Sequence, residues 1–252
     1  MVNRDRRTQN RVGVRDGCAG SGGAGVVPRL PFCVLRSSFR ALVLVAALGI
    51  VLTPAPGAAQ ARHGRLFPPQ DLGLLEGPDR DAWQMPDQIM DALGIADGSV
   101  VADLGAGGGW FTIRLARRVG PNGLVYAEDI QRQMLEATGR RVAREGLRNV
   151  ERVLGTPKDP KLAAGRLDAV LIVEAYHEME EPVALLRNVA EALKPTGRLG
   201  VVDFRKDGWG PGPALEERPD PEAIVRDAEA AGLRLLKRET FLPYQFFLVF
   251  GK

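Results

Sequence analysis

The sequence is poor in residues that bind transition metals and in nucleophilic thiols. It contains two cysteines, Cys18 and Cys33, and two histidines, His63 and His177. Both cysteines precede residue 62, so the rest of the chain can form neither a disulfide nor a thiolate nucleophile. The two histidines are far apart and are not spaced as metal ligands, which argues against a zinc site. We therefore expect no metal cofactor.

The sequence also lacks a hydrophobic run long enough to span a membrane. The apolar stretch Ala41–Leu52 has 12 residues, whereas a spanning helix needs about 20. Arg36 and Arg40 precede this stretch, and small residues follow it as far as Ala61. This order predicts a secretory signal peptide with cleavage after Ala61, and hence a periplasmic or secreted protein. The alternative is an uncleaved segment that anchors the protein to a membrane.

Residues 1–35 are rich in glycine and arginine and have no hydrophobic period, so they are expected to be disordered. They are longer than a signal peptide requires, which suggests a true start near Val34 or Leu35. The sequence thus predicts a leader over 1–61, an irregular lead-in over 62–79 that is rich in proline and glycine, and a folded domain over 80–252.

Outside residues 1–61, the sequence has no excess of basic residues. The formal charge of the chain is +3, yet residues 1–61 carry eight arginines against two aspartates, which leaves the remainder at −3. This balance gives no reason to expect a nucleic-acid partner. A local run of arginines, at positions 140, 141, 144 and 148, is typical of a solvated helix face.

Apolar segments with strand and helix patterns alternate from residue 80 onward, which predicts an α/β fold with a mostly parallel sheet. The last two predicted strands are joined only by Leu242-Pro243-Tyr244, so they must form an antiparallel hairpin. The predicted strands are Val100–Leu104, Gly123–Ala127, Val150–Leu154, Leu167–Val173, Arg198–Phe204, Leu233–Phe241 and Gln245–Phe250. The predicted helices are Pro86–Leu93, Trp110–Val119, Gln131–Glu145, Pro182–Leu193 and Pro221–Ala231.

A glycine-rich turn follows the first predicted strand. Asp103 ends this strand, and Gly105, Gly107 and Gly109 follow at alternate positions. Glycines here let a ligand lie against bare backbone, and the helix that follows offers amide N–H groups to it. A dinucleotide fingerprint would need a third glycine at position 110, which is Trp110. An NAD-dependent oxidoreductase is therefore disfavoured.

The phrase Asp-x-Gly-x-Gly-x-Gly resembles motif I of the class I S-adenosylmethionine-dependent methyltransferases. The resemblance covers residues 80–252 and includes the segments around Arg80–Pro86 and Leu242–Phe250, which are similar to a subgroup with an export leader. It implies a Rossmann-like, seven-stranded methyltransferase sheet with an antiparallel C-terminal hairpin. It also implies S-adenosylmethionine as cofactor, with Asp103 near its ammonium group and the glycine turn around its methionine half.

The end of the second strand supplies the next candidate carboxylate. Asp129 comes 26 residues after Asp103, where a βαβ unit returns beside its first strand, and it can accept both ribose hydroxyls. Asp129 and Ile130 match the phrase that the family has here, and Glu128 is the alternate carboxylate. A structural role for the carboxylate near a helix N-terminus is the other interpretation.

After the third strand, family members often carry an acid next to Gly155 that contacts adenine. Thr156 takes that place here, so Asp159 is the nearest candidate, although it could equally be a turn residue.

The fourth and fifth strands supply candidate catalytic groups, because ligands in open α/β sheets bind beyond the carboxyl ends of strands. His177 could take a proton from the methyl acceptor, and a structural role for it is equally plausible. Glu174 and Tyr176 are weaker candidates, and Asp203 ends the fifth strand at the same rim. The segment Arg205–Asp220 is rich in glycine and proline and is expected to cap the pocket.

These features predict a methyltransferase that acts on a small molecule by direct transfer from the sulfonium; a protein side chain is the less favoured acceptor. The alternative is an exported cofactor-fold module that binds without catalysis, because S-adenosylmethionine is made in the cytosol. The sequence does not indicate which acceptor is used or which oligomer forms.

Overall fold

The computed structural model of the chain describes residues 66–207 and 210–252. The predicted leader, the cleavage position after Ala61 and the true start lie outside the described residues, as does His63.

Seven strands form one sheet in the order β3-β2-β1-β4-β5-β7-β6. Strands β1 to β5 are mutually parallel, while β7 runs antiparallel to both β5 and β6. The predicted mostly parallel sheet with an antiparallel C-terminal hairpin is confirmed. The strands are β1 Val100–Leu104, β2 Leu124–Asp129, β3 Val150–Leu154, β4 Leu167–Val173, β5 Leu193–Phe204, β6 Arg234–Glu239 and β7 Gln245–Gly251.

Six α-helices accompany the sheet in the described part of the chain. They are α1 Arg80–Gln84, α2 Pro86–Ala92, α3 Trp110–Val119, α4 Arg132–Arg144, α5 Pro182–Ala192 and α6 Pro221–Ala230. Helices α2 to α6 match the five helices expected from the sequence to within one or two residues at each end. The short helix α1 was not expected, because five residues give no readable period.

The sheet is covered on both faces, as the long apolar runs of its inner strands require. One buried cluster packs α5 and α6 against the sheet, with Leu186 and Val189 of α5 fully buried. The other packs α2 and α3 on the opposite face, with Ile89 and Leu115 fully buried. Because both layers are filled with apolar side chains, the polar groups that concern function are left at the carboxyl edge of the parallel strands.

The lead-in predicted as irregular contains a 3₁₀ helix, Pro69–Leu75, ahead of α1. We call residues 66–79 the strap, because they cross that carboxyl edge. The backbone N–H of Phe67 donates to Glu178 after β4 (3.0 Å), and its carbonyl accepts from Gln131 after β2 (3.0 Å). Glu76 pairs with Arg141 on α4. No helix among the described residues has the length and hydrophobicity to cross a bilayer.

Candidate functional site

A cavity of about 830 Å³ opens at the carboxyl ends of β1, β2, β4 and β5, beneath the strap. Its volume is typical of a site for a cofactor or a drug-sized ligand. The cavity is lined by the glycine turn after β1, the loops after β2, β3 and β4, the strap, and residues 211–213 of the segment expected to cap the pocket. This is the position at which open α/β sheets bind their ligands.

The glycine turn needs glycine for two different reasons. Gly105, Gly107 and Gly109 have φ values of 71°, 52° and 80°, a left-handed conformation that other residues rarely adopt. A Cβ on Gly105 would lie 2.6 Å from Cβ of Ala175, and one on Gly109 would lie 3.0 Å from Thr138. At Gly107 the nearest atom would be 4.0 Å away, on Leu72 of the strap. The space beside Gly107 is therefore left open to a ligand.

Two neighbouring elements hold the turn through Gly107. Its N–H donates to Oδ2 of Asp129 at 2.9 Å, and its carbonyl accepts from the hydroxyl of Thr138 at 2.7 Å. Oδ1 of Asp129 accepts the N–H of Gln131 at 2.8 Å. Burial raises the pKa of Asp129, although these backbone donors oppose the shift. Asp129, the residue predicted to bind the ribose hydroxyls, therefore contacts the predicted glycine turn directly. Ile130 lines the cavity beside it.

Asp103 lies at the base of the same cavity and is nearly inaccessible to solvent (3%). Its Oδ2 accepts the hydroxyl of Thr112 at 2.6 Å. Burial raises the pKa of Asp103 to about 6, against the opposing hydrogen bond from Thr112. An ionised carboxylate in this position favours a cationic ligand, which agrees with its predicted role near an ammonium group.

Glu128, the alternate carboxylate at the end of β2, is the least satisfied polar group of the site. It is 3% exposed, and its Oε1 has no hydrogen-bond partner, unlike the other buried side-chain oxygens and nitrogens of the described residues. A Cβ on Gly155 would overlap this oxygen, so the glycine after β3 makes room for it. Burial, helped by the charge of Asp129, raises the pKa of Glu128 to about 8. This shift favours the protonated form at neutral pH, in which a carboxyl group can both donate and accept hydrogen bonds.

Glu174, a predicted catalytic candidate, is held in a buried network instead. Its Oε2 pairs with Arg80 at 3.2 Å and its Oε1 accepts from Gln245 at 2.8 Å, while Arg80 also donates to Gln84 at 3.1 Å. Glu174 has a φ of 55°, so this network holds it in a conformation unfavourable for a side chain of its size. Burial raises the pKa of Glu174, and the charge of Arg80 opposes this. Both oxygens are engaged, which fits a scaffold role better than proton transfer.

His177 and Asp203 form a pair at the ends of β4 and β5. Nδ1 of His177 lies 3.2 Å from Oδ2 of Asp203, which is completely buried, and Oδ1 of Asp203 accepts the N–H of Phe204 at 2.8 Å. Burial alone would lower the pKa of His177, but the hydrogen bond to Asp203 and its charge outweigh burial and raise it. With Nδ1 engaged, Nε2 is the nitrogen left for a ligand, 3.8 Å from Glu178. Asp203 lies behind His177 rather than on the cavity wall.

Two other candidates lie outside the residues that line the cavity. Asp159 pairs with Lys161 at 2.6 Å and closes a turn with Thr156, and this bonding to Lys161 lowers its pKa. Thr156 and Pro157 line the cavity at that end instead. Tyr176 is buried and donates to Asp227 on α6 at 2.7 Å. Asp159 as a cofactor ligand therefore receives no support from its position.

Sequence reasoning missed the strap, Arg80, and three aromatic residues that line the cavity, Trp83, Phe204 and Tyr244. Residues of the strap have no period, and the aromatic residues come from three distant segments. The segment Arg80–Pro86 entered the sequence analysis only as part of the family resemblance, and its packing reveals that Arg80 and Trp83 line the cavity.

The cavity fits S-adenosylmethionine by its donor and acceptor chemistry. The cofactor carries a sulfonium, an ammonium group and donor groups on its ribose and adenine, and the cavity is lined by Asp103, Glu128 and Asp129. The open space at Gly107 provides the close approach that its methionine half needs. Among the residues that the structure describes, no cluster of His, Cys, Asp or Glu is arranged to hold a metal ion.

The fold and the cavity define a nucleotide-binding α/β protein of the methyltransferase type, and comparison with known proteins agrees. Residues 101–197 match a family model described as a methyltransferase domain. An uncharacterized methyltransferase of Mycobacterium tuberculosis is 35% identical over 185 residues, which cover 70% of this chain and 69% of the relative. A nocamycin O-methyltransferase of Saccharothrix syringae is 32% identical over 130 residues, or 52% and 45% of the two chains.

Among solved structures, a SAM-dependent methyltransferase from Aquifex aeolicus superposes with a TM-score of 0.70 at 28% identity, covering 73% of this chain and 98% of the other. The chain belongs to the class I S-adenosylmethionine-dependent methyltransferases. It is an enzyme that uses S-adenosylmethionine as its cofactor, as the resemblance of its glycine turn implied.

Proposed function

We propose that this methyltransferase acts on a small molecule whose reacting group lies at His177. The observation that carries the proposal is that His177, held from behind by Asp203, lines the same cavity as the glycine turn. A methyl acceptor must lose a proton as it is methylated, and an imidazole held by a buried carboxylate is suited to accept it. The relative named a nocamycin O-methyltransferase supports a small-molecule acceptor.

The cofactor's place in the proposal follows from the acidic groups around the turn. Asp103 would hold its ammonium group and Asp129 its ribose hydroxyls, while Glu128 lines the cavity beside Asp129. When bound, the cofactor supplies an electrophilic methyl group on a sulfonium. The protein then needs mainly to align the acceptor and exclude water, a contribution that can be worth roughly 7–11 kcal/mol. No covalent nucleophile is required.

His177 is the proposed catalytic base and Asp203 a positioning residue. Asp203 fixes the ring through Nδ1, so that Nε2 accepts the proton of the acceptor and later releases it to solvent. The strap, pinned to the loops after β2 and β4, covers the cavity and helps to exclude water. Glu174 supports this arrangement through Arg80 without exchanging a proton.

The proposal is tested by incubating the protein with methyl-labelled S-adenosylmethionine and either a panel of small molecules or a cell protein fraction. We expect label in small molecules. His177→Gln should abolish transfer while keeping the affinity for the cofactor, and Glu181→Gln, at an exposed neighbouring residue that does not line the cavity, serves as the control. Label found only in proteins, or a fully active His177→Gln variant, would overturn the proposal.

We further propose that the protein belongs to an exported subgroup, with a signal peptide cleaved after Ala61 and a periplasmic or secreted mature chain. The support is the order of positive flank, short apolar run and small residues in the sequence. Cell fractionation, with sequencing of the mature N-terminus, tests it. An N-terminus at residue 62 in the exported fraction is expected, and a cytosolic chain with an uncleaved leader would contradict it.

A further inference from the structure

One end of the cavity is formed by three aromatic side chains that we call the aromatic wall: Trp83 of α1, Phe204 of β5 and Tyr244 before β7. The Trp83 ring centroid lies 6.0 Å from that of Phe204 and 6.2 Å from that of Tyr244, with interplanar angles of 45° and 64°. These are distances at which aromatic rings pack against one another. The wall is therefore a contiguous apolar surface rather than a set of rings around an empty centre.

Cationic groups of the protein already occupy positions on this wall. The guanidinium carbon of Arg80 lies 5.9 Å from the Trp83 ring centroid, and that of Arg218 lies 5.3 Å from the Phe204 centroid. Both distances are within the range of cation–π attraction. Because Arg80 and Arg218 already make cation–π contacts with these rings, the wall is better suited to a neutral, flat acceptor than to a cationic one.

The capping segment completes the wall from outside. A Cβ on Gly212 would lie 2.7 Å from the Phe204 ring, and one on Gly210 would lie 2.5 Å from the Tyr244 ring. Arg218 donates to the carbonyls of Pro213 (3.0 Å) and Arg205 (2.8 Å), which fixes this segment against the rings. Phe204 is thereby covered by protein and only 2% exposed, whereas Trp83 and Tyr244 are half-buried and keep part of their surface accessible at the cavity.

The wall and the proposed base line the same cavity. Trp83, Tyr244 and His177 all contribute to its lining, and Asp203 holds Nδ1 of His177. A molecule that rests on the wall therefore shares the cavity with Nε2 of His177. Leu66 and Leu74 of the strap also line the cavity while remaining 36% and 79% exposed, so part of its rim is apolar.

We propose that the methyl acceptor is a flat, largely apolar molecule whose reacting group is an acidic hydroxyl, a phenol or an enol, which lies against the aromatic wall with its oxygen toward Nε2 of His177. This inference rests on the proposed function and narrows it to a chemical class. The hydroxyl proton passes to Nε2 as an oxygen lone pair forms the new bond to the methyl carbon. The carbon–sulfur bond breaks with its electron pair on sulfur, which leaves a neutral thioether.

The chemistry of the base supports a hydroxyl of this acidity. A phenol ionises near pH 10, which an imidazole can assist, whereas an aliphatic alcohol is far too weak an acid. The groups that face His177 are Asp203 from β5 and Glu174 and Glu178 from the loop after β4, all acidic. They stabilise the imidazolium that forms when the proton arrives. An ammonium acceptor would instead have to shed its proton inside this acidic environment.

The experiment uses the full-length protein saturated with S-adenosylhomocysteine, the demethylated cofactor, and measures the binding of three probes by calorimetry. The probes are 4-nitrophenol, the matched alcohol 4-nitrobenzyl alcohol, and the matched amine 4-nitrobenzylamine. We expect 4-nitrophenol to bind at least about tenfold more tightly than either other probe. Its absorbance should also show more phenolate when bound than when free at the same pH, and His177→Gln should remove this difference.

Two variants of the wall test where the probe binds. Trp83→Leu and Tyr244→Leu should each weaken the binding of 4-nitrophenol by about tenfold, which is the scale of one lost aromatic contact. Both variants should leave the affinity for S-adenosylhomocysteine unchanged. The affinity for S-adenosylhomocysteine shows whether each variant is folded. If a variant is misfolded, the comparison of the three probes on the unaltered protein still tests the preference for a phenol.

Preferential binding of the amine or the alcohol, or phenol binding that neither variant weakens, would overturn the inference. If S-adenosylhomocysteine itself failed to bind, the proposed function would fail with it. If the cofactor bound and label passed to amines, the proposed function would stand and only the phenol or enol assignment would be lost.

Discussion

The carboxylate of Asp129 accepts the backbone N–H of Gly107 at 2.9 Å, so the acid at the end of β2 and the turn after β1 form one unit. Gln131 donates to the other oxygen of Asp129 at 2.8 Å. Each carboxylate oxygen has two acceptor positions, so Asp129 can still accept ribose hydroxyls. The site is therefore organised before the cofactor arrives, which reduces the cost of ordering it on binding.

Gly107→Ala should remove cofactor binding while costing little more stability than a comparable change elsewhere. The methyl group meets no protein atom closer than 4.0 Å, so the expected cost is the left-handed backbone strain of about 1 kcal/mol. Gly146→Ala is the matched control, since Gly146 has a φ of 66°, an empty Cβ position and no place in the cavity. Denaturant unfolding and calorimetry check the pair; equal cofactor affinity in both variants would show that the ligand does not lie at Gly107.

Asp203→Asn should lower the pKa of His177. Burial lowers that pKa, whereas Asp203 and the charges of Glu178 and Glu174 raise it, so removal of the Asp203 charge should lower it. Imidazole NMR signals resolve this titration, because the chain has only one other histidine. We expect a pKa above the usual value of about 6.5 in the unaltered protein and a lower pKa in the variant than in the unaltered protein. The control Glu181→Gln should leave the pKa of His177 unchanged, and an equal effect of both substitutions would refute the pairing.

Glu128→Gln should stabilise the ligand-free protein at pH 8 and above. The folded protein keeps the Glu128 proton up to about pH 8, whereas the unfolded chain releases it near pH 4.5. The folded state therefore binds more protons between these values, and its stability falls as pH rises through this window, by up to a few kcal/mol. Asp103, Asp129 and Asp159 contribute negative charge to the same shift. Unfolding measured from pH 5 to 9 should be flatter in the variant; parallel curves would contradict the assignment.

How far the sequence anticipates the structure depends on whether a feature is local. The strand β1, the turn after it and the helix α3 lie in one continuous stretch of the chain. The predicted bounds of β1 and α3 match those in the structure. The contact of Asp129 with Gly107 was implied by the return of a βαβ unit, so topology was enough to place it. Asp159 was placed by analogy with an acid next to Gly155, and its nearby Lys161 provides a stronger local partner.

The features that were missed depend on contacts distant in sequence. Glu174 stood out as a strand-end acid, but only packing brings Arg80 and Gln245 to its two oxygens. Glu128 was recognised only as an alternate to its neighbour, because the lack of a partner for its Oε1 cannot be read from a sequence. The insertion of β7 between β5 and β6 likewise follows from pairing rather than from chain order.

Arg80→Met should destabilise the protein by about 3–5 kcal/mol, since it leaves the carboxylate of Glu174 buried without its partner. Arg80→Met combined with Glu174→Gln should recover part of this loss, because no unpaired charge remains. Arg117→Met, which breaks the solvent-exposed pair with Glu145, should cost less than about 1 kcal/mol. Denaturant unfolding checks all three. If the double variant were as unstable as Arg80→Met, pairing with Glu174 would not be the reason that Arg80 is buried.

The central claim is that the cavity binds S-adenosylmethionine, and calorimetric titration with this cofactor tests it most directly. The variant Asp129→Asn is titrated in parallel, and NAD is titrated as the alternative ligand. The account predicts saturable one-to-one binding of S-adenosylmethionine, a loss of about tenfold or more in Asp129→Asn, and no binding of NAD. Absence of heat with S-adenosylmethionine, or an Asp129→Asn variant that binds it as tightly as the unaltered protein, would contradict the account.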